Sequence, residues 1–144
     1  DAMVERGSGR ILNVASLGAF QPVPSLAVYA ATKAYLLSFT EALAVELSGK
    51  GVTATALCPG FTDTDMLRDG QGRTSVPQAL AMQPGQVARA AYAACMHGAV
   101  VKLPGILNTV VGTTTQLMPR WLVRDLSGAV LRGGRRGRPD KADG

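Results

Sequence analysis

Short apolar runs spaced far apart, with helix-forming sequence between them, constrain this chain more than any other feature. Ile11–Ala15 reads ILNVA, Val52–Leu57 reads VTATAL, and Ala99–Leu103 is a third run of strand length. Between the first two, the pattern predicts a helix from Ser25, its N-cap, to about Leu47. Leu36, Phe39, Leu43 and Leu47 recur at helical spacing and are expected to form its core stripe. Ser48-Gly49-Lys50-Gly51 stops it, because glycine takes the left-handed cap conformation freely. Between the second and third runs, 84–98 reads as a helix with Pro84 near its start and Val87, Ala91 and Ala94 on one side. Strands joined through helices imply right-handed crossovers and a parallel sheet. The chain is therefore α/β, with the 11–15 strand expected to be buried on both faces.

The remaining stretches are less regular. Residues 1–9 end in GSG and read as the close of a helix plus a turn. Residues 61–83 are polar and without a clear period, and a loop that long is usually functional or mobile. From Ile106 the pattern turns amphipathic, with a break at Pro119. Trp121, Leu122, Leu126, Val130 and Leu131 form an apolar face beside Arg120, Arg124 and Arg132. Residues 1–131 are expected to make the folded unit, with terminal helices over 106–131 and a basic disordered tail over 132–144. That tail holds +3 of the formal +5 net charge, so the body is only mildly basic.

No apolar run approaches the ~20 residues of a membrane span, so no transmembrane segment is expected. Cys58 and Cys95 form no metal-ligand spacing and no disulfide framework, and read as small buried hydrophobes. No metal is expected. The polar start carries no secretory leader, which leaves a cytoplasmic setting as the expectation.

The chemistry concentrates in Ser16–Lys33, SLGAFQPVPSLAVYAATK. Tyr29 and Lys33 are four apart on a predicted helix, so they share a face. Ser16 ends the first strand run. A phenol in water holds its proton to about pH 10. A neighbouring ammonium favours the phenolate, and a hydroxyl can hold a substrate oxygen, so the three together suit proton transfer. Asn13 is expected to pin backbone at the strand–loop junction, Tyr35 to pack, and His97 to partner a helix C-terminus.

Ser16, Tyr29 and Lys33 resemble the Ser, Tyr-x-x-x-Lys signature of the short-chain dehydrogenases/reductases. Asn13-Val14-Ala15-Ser16 is similar to that family's N-x-S-S strand end, and Cys58-Pro59-Gly60-Phe61-Thr62-Asp63-Thr64 to its P-G-x-x-x-T loop on the nicotinamide side. The resemblance is strong over residues 8–66 and looser over 84–108. It implies a Rossmann-like, doubly wound parallel sheet and hydride transfer between NAD or NADP, the latter favoured, and a carbonyl or secondary alcohol. It implies that Tyr29 is the acid/base, that Ser16 orients the carbonyl and that Lys33 holds the nicotinamide ribose. Pro59, Gly60, Thr62 and Thr64 would complete the cofactor contacts, with 61–83 as the substrate loop. The resemblance also implies a homo-oligomer when complete.

The family's Gly-rich dinucleotide turn, its N-N-A-G motif and its catalytic asparagine have no counterpart among these residues. The chain is thus expected to be the C-terminal part of such an enzyme. Two other classes compete. A serine hydrolase could pair Ser16 with Lys33, but Val14-Ala15-Ser16-Leu17-Gly18 lacks the first glycine of a nucleophile elbow. A non-catalytic binding protein could use the Arg-rich tail on nucleic acid or an acidic membrane. A solvated tail, with no nucleic-acid partner, is the expectation.

Overall fold

The computed structural model describes residues 2–64 and 81–135, with side chains to residue 129. A short helix α1 (Ala2–Glu5) leads into strand β1 (Gly9–Val14) and a 3-10 turn (Leu17–Phe20). Helix α2 (Ala27–Glu46), strand β2 (Val52–Leu57), helix α3 (Pro84–Met96) and strand β3 (Val101–Lys102) follow. Helices α4 (Ile106–Leu117) and α5 (Arg120–Arg135) end the described chain. The sheet is parallel in the order β1-β2-β3, with Gly9 opposite Val52, Val14 opposite Leu57 and Leu57 opposite Lys102.

Strand β2 lies in the middle and is buried on both sides, which its alternation of small and branched residues permits. Its Val52, Ala54 and Ala56 meet α2, in contact with Leu37, Leu43, Ala44 and Leu47. Leu57 packs on the opposite side with Val87 and Ala91 of α3. The alanines let the long helix approach the sheet closely. Gly49 and Gly51 both take positive φ (76° and 72°), as the expected stop after α2 requires. Gly51 has no room for a Cβ against the Gly7 carbonyl.

Several expectations change in three dimensions. Ser25 is not the α2 cap: Leu26 holds that position with no side-chain cap, and Ser25 sits in the left-handed region at φ 70°. Of the predicted stripe, Leu47 is buried and Leu36 and Leu43 are half-buried, while Phe39 is exposed; Ala30, Leu37 and Thr40 complete the face that α2 buries. The helix carries apolar residues on more than one side, so periodicity alone does not exclude Phe39 from the stripe. Tyr35 is likewise on the surface, stacked on Phe39 with ring centroids 6.0 Å apart.

Strand β1 alternates instead of being buried on both faces. Ile11 and Asn13 turn toward α2, while Leu12 and Val14 are exposed. Asn13 pins a side chain, not backbone: its amide donates to the Thr40 hydroxyl at 2.9 Å, and Thr40 donates to the Leu36 carbonyl at 2.6 Å. In α5 the residue turned inward is Val123, whereas Trp121 and Leu126 of the predicted apolar face are exposed. Helix α5 runs past the expected boundary at 131, and residues 136–144 of the expected tail lie outside the described ones. The third strand is shorter than predicted. Both cysteines are buried and free.

Candidate functional site

Parallel strands present their carboxyl ends on one side, where open α/β sheets bind ligands. Ser16 lies just past the end of β1, and Pro59 and Gly60 lie just past the end of β2. The two loops are joined: Leu17 N–H donates to the Pro59 carbonyl at 2.8 Å, continuing the ladder from Ala15 N–H to Leu57 O at 2.7 Å. Ser16 starts the 3-10 turn, its hydroxyl oxygen accepting from Gly18 N–H at 3.1 Å. That bond sets the side chain at the mouth of the site.

Helix α2 brings Tyr29 and Lys33 back over this point from its first two turns. A Cβ on Gly18 would stand 3.5 Å from Ser16 Oγ and 3.9 Å from Tyr29 Cε1. Gly18 therefore marks the gap on which the two side chains converge. Tyr29 is 40% exposed, enough to meet a ligand. Lys33 Nζ is 5.7 Å from the centre of the Tyr29 ring and donates to the Val14 carbonyl at 2.7 Å. An ammonium has three donors, so that bond leaves two for other partners. Among the described residues no hydrogen bond joins Ser16 Oγ to Lys33 Nζ, which gives the Ser–Lys hydrolase no support.

Beneath these groups lies Cys58, fully buried. Burial pushes its thiol from 9.0 up to about 11, with Glu41 adding to the rise, while a Ser16 backbone hydrogen bond and the Lys33 charge oppose it. It is an inert filler beneath the site, as the sequence suggested.

The second loop is shaped by residues the sequence did not single out. Gly60 lies against the Asn108 side chain, where a Cβ would come within 2.6 Å of the amide carbon. Asn108 is held there by donating to the Pro104 carbonyl at 2.7 Å. Beyond Gly60, Met82 N–H donates to Phe61 O and Asp63 N–H to Met82 O, both at 2.9 Å. This Thr62–Met82 bridge closes the base of the predicted substrate loop, whose residues 65–80 lie outside the described ones. Among the described residues the Thr62 and Thr64 hydroxyls make long local bonds of 3.4 Å, to Gly60 O and Thr62 O. His97 caps α3 through its backbone N–H, which donates to Ala93 O. Asn108 and Met82 carried no local signal, since both act through contacts far along the chain.

The geometry has close counterparts. The profile of the short chain dehydrogenase family matches residues 1–73. The ketoacyl reductase HetN of Nostoc sp. is 42% identical over 119 residues, which cover 81% of this chain and 40% of that protein. A short chain dehydrogenase from Burkholderia cenocepacia J2315, solved in complex with NADP, superposes with a TM-score of 0.65 at 28% identity, covering 78% of this chain and 45% of that one. A 3-ketoacyl-(acyl-carrier-protein) reductase from Brucella melitensis complexed with NADH gives a TM-score of 0.57 at 35% identity, covering 71% and 45%. The chain thus spans less than half the length of each of these relatives. The parallel α/β sheet read from the strand–helix pattern, and the Rossmann-like fold that the resemblance implied, are what these structures share, and the chain belongs to the short-chain dehydrogenase family.

Proposed function

We propose that this chain carries the catalytic half of an NAD(P)-dependent oxidoreductase that interconverts a carbonyl and a secondary alcohol. The observation that carries the reading is the convergence of Ser16 Oγ and the Tyr29 ring on Gly18, with the Lys33 ammonium beside the ring. Tyr29 gives its phenolic proton to the carbonyl oxygen as the alcohol forms, and takes it back in the reverse direction. Ser16 donates a hydrogen bond to the same oxygen and fixes its position. Lys33 stabilises the negative charge left on Tyr29, and its bond to Val14 O keeps it in reach.

The donor set fits a nicotinamide nucleotide. Among the described residues Lys33 has two N–H groups left for ribose hydroxyls, the Thr62 and Thr64 hydroxyls make bonds of 3.4 Å, and Pro59–Gly60 turns the backbone at the sheet's carboxyl end. When bound, the reduced nucleotide supplies the hydride. NADP is the favoured form, and the names of the relatives favour a 3-oxoacyl thioester as substrate. Free, buried cysteines suit a reducing, cytoplasmic setting, and the exposed Tyr35–Phe39 stack suits a contact between copies along α2.

The test is oxidation of NADPH and NADH followed at saturating 3-oxoacyl thioester, with a simple ketone as comparison. Turnover that depends on the carbonyl compound supports the reading. Turnover unaffected by replacement of Tyr29 removes it.

A further inference from the structure

Where α2 meets β1 the contact is apolar except at one level. Ile11 packs into the cluster of Leu47, Val52 and Ala54, and Ala15 into that of Leu37 and Ala56. Between those two levels stands Asn13, whose amide donates to Thr40 Oγ1 at 2.9 Å. Thr40 is fully buried, and its hydroxyl donates in turn to the Leu36 carbonyl at 2.6 Å. The surrounding pattern asks for apolar side chains at both positions. Two polar residues that break it together, and satisfy each other, specify something their apolar neighbours do not.

Hydrophobic contact is non-directional, so a small slide of α2 along the sheet exchanges one apolar neighbour for another at little cost. The Asn13 amide does not tolerate the slide. Its neighbours along α2 are Leu37, Leu43 and Ala44, which offer no side-chain acceptor. Among the described residues Thr40 is the one buried polar side chain of α2. A displaced helix therefore leaves a shielded donor unpaired, which is expensive. The Lys33 bond to Val14 O lies about two turns nearer the start of α2, but it is exposed, and water can replace it. Beyond Lys33 the same helix carries Tyr29 over the gap at Gly18, where Ser16 Oγ faces it.

We propose that Asn13 and Thr40 are positioning residues, a hydrogen-bonded pair that fixes the register of α2 on β1 and thereby the approach of Tyr29 to Ser16. The inference rests on the reading of Tyr29 and Ser16 as the groups that handle the carbonyl oxygen. The pair acts through the helix and not by touching the reacting atoms. One helical turn rises about 5.4 Å, so a slip far smaller than a turn moves the phenol away from an oxygen held by Ser16. A misplacement of about 1 Å can cost a hundredfold in rate.

Replacing both residues by apolar ones of similar shape, Asn13→Leu with Thr40→Val, separates stability from placement. No unpaired group is left behind, so the double variant should melt at or above the parent temperature. Its kcat for carbonyl reduction should nevertheless fall about tenfold to a hundredfold, with a smaller change in KM for the nucleotide. Thr40→Ser keeps the hydroxyl and should keep turnover near that of the parent. Parent-like turnover in the double variant overturns the proposal, as does a loss in Thr40→Ser as large as that of the double variant. A second readout needs no turnover. In the parent chain a single set of nuclear Overhauser cross-peaks is expected between the Tyr29 ring and Gly18, and in the double variant these should weaken or split. Identical cross-peaks in the two proteins remove the register role. Weakened cross-peaks beside a parent with no carbonyl-dependent turnover support the register role and remove the proposed activity instead. Should the double variant not fold, Thr40→Val beside Thr40→Ser supplies the same comparison.

Discussion

The Lys33 ammonium is bonded to the carbonyl of Val14 at 2.7 Å, which ties the second turn of α2 to the last residue of β1. The bond holds the cation next to the Tyr29 ring, 5.7 Å from its centre. One side chain thereby joins the scaffold to the proposed chemistry. Lys33→Met should act on both. Losing the bond to Val14 should cost about 1 kcal/mol of stability. The pH dependence of turnover should also move, because the charge favouring the phenolate is gone. Thermal melts and a pH–rate profile check this; an unchanged profile would remove Lys33 from the mechanism.

Tyr29→Phe removes the proton donor and leaves the ring. Carbonyl reduction should fall about a hundredfold to ten-thousandfold, with nucleotide binding nearly intact. Steady-state kinetics beside a nucleotide titration separates the two effects. Turnover within tenfold of the parent would rule out Tyr29 as the acid.

Gly60→Ala places a methyl group against the Asn108 amide, which its bond to Pro104 keeps from yielding. The displaced loop should raise KM for the nucleotide by roughly tenfold to a hundredfold with a smaller effect on kcat. Asn108→Ala in the same background should restore most of the affinity by removing the obstacle. The two variants measured singly and together decide it.

Thr55 is fully buried in β2, and its hydroxyl has no hydrogen-bond partner among the described residues. Thr55→Val keeps the shape and removes the unpaired oxygen. Stability should rise by about 1 kcal/mol. Denaturant midpoints of parent and variant test this, and a destabilised variant would indicate a bound water at that oxygen.

Cys58 adds a pH-dependent contribution to stability. Its thiol ionises near 9.0 when unfolded and at about 11 when folded. Between those values the unfolded state binds fewer protons, so stability falls as pH rises, by about 3 kcal/mol in all. The contribution is intact below pH 9 and lost as pH passes about 11. Melting temperatures of the parent and Cys58→Ala across this range should converge as pH rises. Parallel curves would show that the thiol is not the group responsible.

The parallel sheet and the shared helix face of Tyr29 and Lys33 were legible in the sequence because both rest on local rules. Apolar runs of strand length separated by helices allow few topologies. The four-residue spacing of Tyr29 and Lys33 puts them on one helix face wherever that helix lies. The stop at Gly49–Gly51 and the inward line of Val87, Ala91 and Ala94 follow from equally local chemistry. The side that α2 buries was legible through Leu36, Leu43 and Leu47, whereas the exposure of Phe39 was not, since apolar residues lie on more than one side of the helix. Nor could the chain order reveal that Asn13 meets Thr40, that Asn108 bears on Gly60, or that Gly112 of α4 is pressed against Leu103 and Leu17. Those relations join residues distant in sequence, and only packing, which satisfies each buried polar group and fills each gap beside the sheet, brings them into contact.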